Sequence, residues 1–268
     1  MAIACSTLVR CASPLDRALA DIAAMGFAKI DLLVIDGWVH VHTRDLADQF
    51  EPTVAGIDRL LQQHNLLPIA LNTGVGPQLH QRSPAINARR IREVEALIRC
   101  MQHYAITIAA IQPRNADRDR PWDEVLHDCV ATLREQTAMG QAAGIIFALE
   151  LHVNSPFETL DQARQLLAAL PDLSLVYDPS HFVMQGIDLK ETGWLIDHAR
   201  HVHLRDAAPG RLQVPFGTGA IDFDWLLGML RERGYQGHFS IEYLETDEFD
   251  ALENALRLYE AIARYFPD

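Results

Sequence analysis

Cysteine is scarce in this sequence of 268 residues, which has four in all: Cys5, Cys11, Cys100 and Cys129. They form no C-x-x-C pair and no dense cluster, which excludes a disulfide framework as the basis of the fold. Because this pattern suits a reducing compartment, we expect the protein to be cytoplasmic. Residues 1–10 show no basic leader followed by an apolar segment, so no secretory signal is predicted.

Long apolar runs and basic runs are also missing. No run of 18 apolar residues occurs, so we expect no membrane span. The chain carries 23 Lys and Arg against 36 Asp and Glu, a formal net charge of −13. Since proteins that coat nucleic acid present basic surfaces, this charge disfavours nucleic acid and anionic membrane as partners. It says nothing against a small substrate, because one local arginine can outweigh the overall sign.

Short apolar segments alternate with amphipathic helical patterns along the whole chain. Several of these segments are apolar on both faces, as strands are when a parallel sheet is covered on both sides. The predicted strands are residues 3–8, 29–35, 67–72, 106–112, 145–150, 173–178, 201–205 and 238–243.

Cap signals mark the helical stretches between these strands. Ser13-Pro14 and Ser83-Pro84 each place a capping serine and a first-turn proline before an apolar stripe. Thr159 with Gln162 predicts a capping box, and Asp222 precedes a further stripe. These signals predict that helices begin at the four places.

Eight alternating units of strand and helix determine the predicted fold. Strict alternation implies a parallel sheet, and eight units in about 250 residues favour closure. We therefore predict an α/β fold, a (β/α)8 TIM barrel, as a single domain over residues 1–268; an open doubly wound sheet is the alternative. Three connections that follow strands are long, residues 36–53, 73–82 and 206–221. In a barrel they lie on the face where active sites form.

Four successive predicted strands end at a charged or metal-binding type of residue. These are Glu150, Asp178, His203 and Glu242, at or near the carboxyl ends of strands five to eight. In a closed barrel the ends surround one mouth, and three carboxylates so close would repel one another without a cation. Three carboxylates with one imidazole suit Mn, Mg, Co or Zn. A single acid after a strand is more often a helix cap or an ion-pair partner; the run of four indicates one divalent ion.

Five ordered motifs between residues 149 and 243 carry a family resemblance. They are Leu149-Glu150-Leu-His152, Tyr177-Asp178-Pro-Ser-His181-Phe, His201-Val-His203-Leu-Arg-Asp206, Gly217-Thr-Gly219-Ala-Ile-Asp222-Phe and Ser240-Ile-Glu242-Tyr. Together they resemble the xylose-isomerase-like superfamily, and more narrowly its sugar phosphate isomerase/epimerase group. The N-terminal half agrees in strand–helix rhythm and offers no sharp motif.

The resemblance implies one divalent ion bound by Glu150, Asp178, His203 and Glu242. In ketose epimerases of this group the two glutamates also form the acid–base pair, and the histidine three residues after the aspartate, here His181, contacts metal or substrate. A metal-dependent isomerase or epimerase of ketoses or sugar phosphates is therefore expected. The chemistry agrees with this expectation. Removal of a proton from the carbon next to a carbonyl forms an enediolate, and a metal ion stabilises its negative charge as a Lewis acid. Two carboxylates on opposite sides of a carbon can remove a proton from one face and return it to the other.

Three further residues lie close to these motifs. His152 stands two residues beyond Glu150, towards the mouth, and is expected to touch substrate. Arg205 offers a planar fork for a phosphate, a carboxylate or a sugar hydroxyl, the alternative being an ion pair with Asp206. His201 lies two residues before His203, and we expect it to sit one layer deeper as a satisfied core group.

Other polar residues of the long connections are interpreted as peripheral. His40 and His42 are predicted to be a solvated pair, and Arg211 to be exposed to solvent. The Gly217-Thr-Gly219 turn either offers backbone amides to an anion or only permits a tight turn.

Other functions share parts of the same pattern. A dehydratase of a cyclic polyol ketone or of a dehydroshikimate-type acid would use the same site, since loss of a β-hydroxyl starts from the same enediolate. An apurinic/apyrimidinic endonuclease is disfavoured, because strands three and four end at Asn72 and Gln112, where that three-zinc design needs histidines. A non-catalytic sugar-binding barrel is disfavoured by the presence of both glutamates. The expected partner is a small sugar or polyol, with a homodimer or a homotetramer left open.

Overall fold

All eight predicted strands form strands in the computed structural model, which describes residues 1–267. They are β1 Ile3–Ser6, β2 Lys29–Ile35, β3 Leu67–Gly74, β4 Ile108–Ile111, β5 Ile146–Glu150, β6 Leu175–Tyr177, β7 Ala199–Leu204 and β8 His238–Ile241. Each strand pairs with the next in the chain, all pairs are parallel, and β8 pairs with β1. The predicted (β/α)8 barrel is confirmed, and the alternative of an open sheet is wrong.

Several strands end where a side chain caps the turn that follows. β1 stops at Ser6, whose hydroxyl accepts a hydrogen bond from the Leu8 amide as Thr7–Arg10 winds into a 3-10 helix. β6 stops before Asp178, whose carboxylate caps the next helix. β3 is longer than predicted and reaches Gly74, where it still pairs with Ile35 of β2.

Nine α-helices connect the strands within the described residues. They are α1 Leu15–Ala24, α2 Thr43–Asp48, α3 Phe50–His64, α4 Pro84–His103, α5 Trp122–Ala142, α6 Leu160–Ala169, α7 Pro179–Met184, α8 Phe223–Glu232 and α9 Ala251–Tyr265, with a further 3-10 helix at Leu189–His198. No helix within residues 1–267 combines the length and apolar character that crossing a membrane requires.

Three of the four predicted helix caps are confirmed. The side chains of Ser83, Thr159 and Asp222 each accept a hydrogen bond from a backbone amide of their own helix. The prediction for Ser13 is wrong, because α1 begins one residue later, after Pro14, which has no side-chain acceptor.

The three long connections differ in structure. Residues 36–53 were expected to be a loop, but they contain α2, whose Thr43 and Leu46 are buried, and the first turn of α3. The second connection starts later than predicted, since β3 continues through Thr73 and Gly74. Residues 206–221 form a true loop with one isolated bridge, between Ala208 and Arg211.

The interior of the barrel is polar at the mouth and mixed in the layer below. The apolar part of that lower layer is a small cluster made of Ala70, Ile108, Ala110, Ala148 and Val176. Asp31 and His201 lie level with Ala70 and Val176 in the sheet. Side chains two residues apart in a strand point to the same side. Asn72, Glu150 and Asp178 therefore lie above this layer, towards the carboxyl ends of their strands. Active sites of barrel enzymes lie at this end.

Candidate metal centre

Four strands each deliver one of the predicted ligands to the mouth of the barrel. Glu150 is the last residue of β5, His203 lies in β7, and Asp178 and Glu242 directly follow β6 and β8. One ligand atom of each lies within 4.8 Å of those of the other three. All four residues are buried, with at most 2% of their surface exposed. The structure thus brings together the four residues that the sequence singled out.

His203 lies at the centre of the cluster. Its Nδ1 is 3.1 Å from Oε1 of Glu150 and 3.3 Å from Oε1 of Glu242. Its Nε2 faces the opposite way and lies 3.4 Å from Oδ2 of Asp31, a fully buried residue of β2. Nδ1 is therefore the nitrogen that shares a space with the candidate carboxylate ligands.

Arg205 places a positive charge against two of the carboxylates. Its Nη2 donates to Oδ2 of Asp178 at 2.7 Å, and its Nη1 lies 3.0 Å from Oε2 of Glu242. Its Nε donates to the Ser180 hydroxyl at 2.9 Å. The guanidinium therefore pairs with Asp178 and Glu242 rather than with Asp206, and its contact with substrate stays a prediction.

Negative charge exceeds positive charge in this cluster, because it holds four buried carboxylates, Asp31 included, against one guanidinium and the imidazole of His203. Burial raises the pKa of Asp178 to about 6, although the charge of Arg205 opposes this. Burial also acts to raise the pKa of Glu150, but the hydrogen bond and charge of His203 outweigh it and lower that pKa. Burial acts to lower the pKa of His203, but Glu242 and the hydrogen bonds to neighbouring carboxylates hold it well above its ordinary value. The site therefore favours further positive charge.

Two more histidines lie beside the cluster, where they were expected. Nε2 of His181 is 3.1 Å from Nη2 of Arg205 and 3.6 Å from Oδ2 of Asp178. The half-buried ring of His152 packs on His181, with 3.9 Å between the ring centroids. Burial lowers the pKa of His181 well below its ordinary value, and because a guanidinium can only donate, Nε2 accepts from Arg205. The proton then sits on Nδ1, which is buried and has no hydrogen-bond partner within the described chain.

A family model that matches most of the chain identifies the family of this protein. The model of the xylose isomerase-like TIM barrel family matches residues 19–265. The chain belongs to the xylose isomerase-like TIM barrel family. The resemblance that the five motifs indicated is thus confirmed.

Relatives of this xylose isomerase-like barrel include isomerases and epimerases. An inosose isomerase from Halalkalibacterium halodurans is 23% identical over 249 residues, which cover 85% of this chain and 88% of that protein. An L-ribulose-5-phosphate 3-epimerase from Salmonella paratyphi C is 27% identical over 227 residues, 78% of this chain and 79% of that protein. These relatives support an enzyme of the isomerase or epimerase kind.

Solved structures share the xylose isomerase-like fold over nearly the whole chain. A zinc-bound IOLI protein superimposes with a TM-score of 0.73 at 18% identity, covering 100% of both chains. A magnesium-bound protein from Mycobacterium smegmatis gives 0.76 at 15% identity, covering 98% of this chain and 97% of that chain. A probable 3-DHS dehydratase from Bacillus anthracis gives 0.72 at 17% identity, covering 97% and 99%. At these identities the likeness establishes the fold.

Three polar residues of the xylose isomerase-like site were missed from the sequence. Asn72, at the mouth end of β3, donates from Nδ2 to Oε1 of Glu242 at 2.5 Å, and its Oδ1 is buried without a hydrogen-bond partner within residues 1–267. Asp31 and Ser240 lie one layer deeper in the barrel, where the Ser240 hydroxyl donates to Oδ2 of Asp31 at 2.6 Å. The sequence did offer one signal for Asp31, since this acidic residue interrupts an otherwise apolar run over residues 30–35. The candidate ligands were predicted because they stand at strand ends, and that criterion does not select a residue in the middle of a strand.

The peripheral predictions had mixed outcomes. His40 and His42 are not a solvated pair: both are half-buried, with Nδ1 3.1 Å from the Thr7 hydroxyl and from the Ile35 carbonyl respectively. Arg211 is exposed as expected and forms an ion pair with Glu248.

The glycine turn of the long loop after β7 does bind an anion, which is a side chain of the protein itself. The amides of Gly217 and Gly219 donate to Oδ2 of Asp206 at 2.8 and 3.0 Å. The turn therefore fixes the loop against the end of β7.

Proposed function

We propose that this protein is a divalent-metal-dependent isomerase or epimerase of sugars or polyol ketones. The observation that carries the proposal is the buried cluster of Glu150, Asp178, His203 and Glu242 at the carboxyl ends of β5–β8. Family membership and the isomerase and epimerase relatives support the same class of reaction.

The donor set of the cluster fits a hard or borderline divalent ion. It offers three carboxylates and one imidazole nitrogen, whose combination suits Mn, Mg, Co or Zn. Zinc and magnesium occur in two solved structures of the same fold. An ion held here would act as a Lewis acid towards negative charge that develops on substrate oxygens.

Glu150 and Glu242 are the acid–base pair of the proposed reaction. They come from strands separated by β6 and β7, and their Oε1 atoms lie 3.1 Å and 3.3 Å from Nδ1 of His203. A carbon acid held between them would lose a proton to one carboxylate and regain one from the other, which is epimerisation. Return of the proton to the neighbouring carbon would be isomerisation.

The two glutamates differ in how firmly they are held. Glu242 accepts from Asn72 and also faces Arg205, whereas Glu150 contacts the imidazole of His203. Glu242 is therefore restrained by fixed donors from two further strands, whereas Glu150 is restrained mainly through His203. Neutral His181 presents Nδ1–H as a donor for a substrate oxygen. His152 and Arg205 complete the proposed substrate contacts.

Solvent exchange of a substrate proton tests this proposal. The protein is incubated in deuterated water with Mn²⁺, Mg²⁺, Co²⁺ or Zn²⁺ and a panel that includes an inosose, free ketoses and ketose phosphates. Proton NMR should show metal-dependent deuterium incorporation next to one carbonyl, and a new epimer or isomer. The Glu150→Gln variant should lose both signals. Glu232→Gln, an exposed change at the end of α8 near the opposite face of the barrel, should keep them.

The products separate the proposal from its competitors. A product that has lost water would identify a dehydratase, the activity for which the Bacillus anthracis protein of the same fold is named. Absence of exchange across the whole panel, with each of the four metals, would indicate a sugar-binding barrel without turnover.

A further inference from the structure

We propose that Asp31 is a positioning residue, which keeps the proton of His203 on Nε2 and so leaves Nδ1 free to bind a metal ion. This inference rests on the metal centre proposed above and assigns a task to a residue outside that ligand set. Asp31 lies in the middle of β2, on the far side of His203 from the carboxylates.

A polar layer supports the candidate ligands from below. His201 lies two residues before His203, and Ser240 two residues before Glu242, so each lies beneath a candidate ligand on the same strand. The Ser240 hydroxyl donates to Oδ2 of Asp31 at 2.6 Å. Nε2 of His201 lies 3.0 Å from that hydroxyl and 3.5 Å from the same carboxylate oxygen. Asp31, His201 and Ser240 are all fully buried.

The position of one proton decides whether His203 can bind a metal ion. To bind a metal ion, His203 must give up the proton of one ring nitrogen, whose lone pair then binds the metal, while the other nitrogen keeps its proton. Nδ1 faces Glu150 and Glu242, which are acceptors and by themselves favour a proton on that nitrogen. Such a proton would block Nδ1.

Asp31 supplies the competing acceptor on the other side of the ring. Its Oδ2 lies 3.4 Å from Nε2, a buried nitrogen that has no hydrogen-bond partner within the described residues. A carboxylate can only accept, so the charge of Asp31 favours a proton on Nε2. Carboxylates that hold an ion no longer favour a proton on Nδ1. The acceptor at Nε2 would then determine the tautomer of His203. Carboxylate–histidine–metal arrangements fix ring orientation and raise ligand basicity in this way, and their loss costs about 10–100-fold in metal affinity.

A second cation site is the competing interpretation of the same residues. Asp31, His201 and His203 offer ligand atoms within 4.8 Å of one another. The Ser240 hydroxyl, however, already donates to the Asp31 oxygen that faces both histidines. A hydrogen-bonded support therefore describes the layer better than an ion does.

The Asp31→Asn variant tests the proposal through metal binding. Asparagine keeps the shape of the side chain but can donate to Nε2, which permits the proton on Nδ1. Zinc affinity, measured by competition with a chromophoric chelator, should fall about 10–100-fold. The visible spectrum of the cobalt-loaded protein should also change, because the ligand field at the ion is altered. Asp172→Asn is the matched control, since it makes the same change at an exposed residue before β6, at the opposite end of the barrel; its affinity should stay within about threefold.

A measurement on the unmodified protein keeps the proposal testable if Asp31→Asn does not fold. Protein labelled with ¹⁵N at histidine and loaded with Zn²⁺ should show His203 protonated at Nε2 and metal-bound at Nδ1. A metal bound through Nε2, or unchanged affinity and cobalt spectrum in Asp31→Asn, would overturn the role of Asp31 alone. Two ions per chain, one of them lost in Asp31→Asn, would make Asp31 a ligand instead. No uptake of any divalent ion by the unmodified protein would overturn the metal centre itself.

Discussion

At the scale of single residues, the two glutamates are the clearest test of the proposed chemistry. Glu150→Gln and Glu242→Gln each keep the size of the side chain and remove its ability to take a proton. Turnover should fall by about 10²–10⁴-fold in each, the usual contribution of a positioned acid or base. Steady-state kinetics at saturating metal measures this, and near-normal activity in both variants would refute the assignment.

His201→Gln is the contrasting variant for those two. His201 is fully buried and contacts Ser240 and Asp31 rather than the candidate ligands Glu150 and Glu242. Its loss should lower the free energy of unfolding more than it lowers kcat. Urea denaturation run beside the kinetics separates the two effects, and a fall in kcat as deep as that of the Gln variants would assign His201 to the chemistry.

Arg205 carries a second prediction at this scale. Arg205→Met removes the guanidinium that faces buried Asp178 and Glu242. Breaking a buried pair by removing one partner costs about 3–5 kcal/mol, because a charge is left without compensation. The metal-free variant should be destabilised by this amount in urea denaturation. Saturating Zn²⁺ or Mn²⁺ should recover part of it, since the ion supplies the missing positive charge.

The exposed Arg211 provides the control for Arg205. It pairs with Glu248 at the surface, where an ion pair contributes about 0–1 kcal/mol, so Arg211→Met should change stability little. Equal destabilisation of the two variants, or no recovery with metal in Arg205→Met, would contradict the electrostatic account.

The site residues that could be predicted from the sequence are those whose position at a strand end is informative by itself. Glu150, Asp178 and Glu242 stand at or just after strand ends, so their convergence follows from barrel topology. Arg205, Asn72 and Asp31 complete the site through contacts between strands far apart in the chain. Their partners depend on register and side-chain reach, which spacing along one sequence does not encode.

At the scale of elements, the loop after β7 depends on one glycine. A Cβ on Gly219 would collide with the Asp206 carboxylate and the Ala207 carbonyl. Gly219→Ala should therefore displace the turn and lower the free energy of unfolding by about 1–3 kcal/mol, as overpacking does. Thermal unfolding measures the change.

Gly228 is the matched control for that substitution. It lies inside α8, and an added Cβ there meets no atom within 4 Å. Gly228→Ala should stabilise the protein by about 0.5–1 kcal/mol, because alanine loses less backbone freedom in a helix. A stable Gly219→Ala variant that retained activity would show that the loop tolerates displacement.

The presence of most helices and strands could be predicted from the sequence, but the residues at which they end could be predicted less well. Capping residues such as Thr159 act locally, so their helices were predicted where they begin. Strand ends depend on neighbours: β3 continues to Gly74 because β2 offers Ile35 as a pairing partner. Helix α2 escaped prediction because six residues are too few to show a helical period.

At the scale of the whole molecule, closure of the barrel brings the site together. Eight alternating units are compatible with an open sheet, and the hydrogen bonds between β8 and β1 decide the matter. In the closed barrel, β5–β8 direct their carboxyl ends to one mouth. An ion held by residues of these four strands therefore links metal binding to the stability of the entire barrel.

This linkage predicts a metal-dependent melting temperature. An ion that binds only the folded chain adds about 2.7 kcal/mol of stability at 100 times its Kd. For a domain of this size that amount raises Tm by roughly 5–10 °C. Differential scanning calorimetry of chelator-stripped protein, titrated with Mn²⁺, Zn²⁺, Co²⁺ or Mg²⁺, should show an increase that a chelator reverses.

Two controls separate site binding from the general effect of salt. K⁺ at matched ionic strength should leave Tm nearly unchanged, because screening alone does not bridge four strands. His203→Gln removes the ligand of β7 and should reduce the metal-induced rise while leaving the other three ligands in place. If all divalent ions act no differently from K⁺, the carboxylates at the mouth balance their charge without a metal, and the cluster is a structural network of Arg205 and its partners.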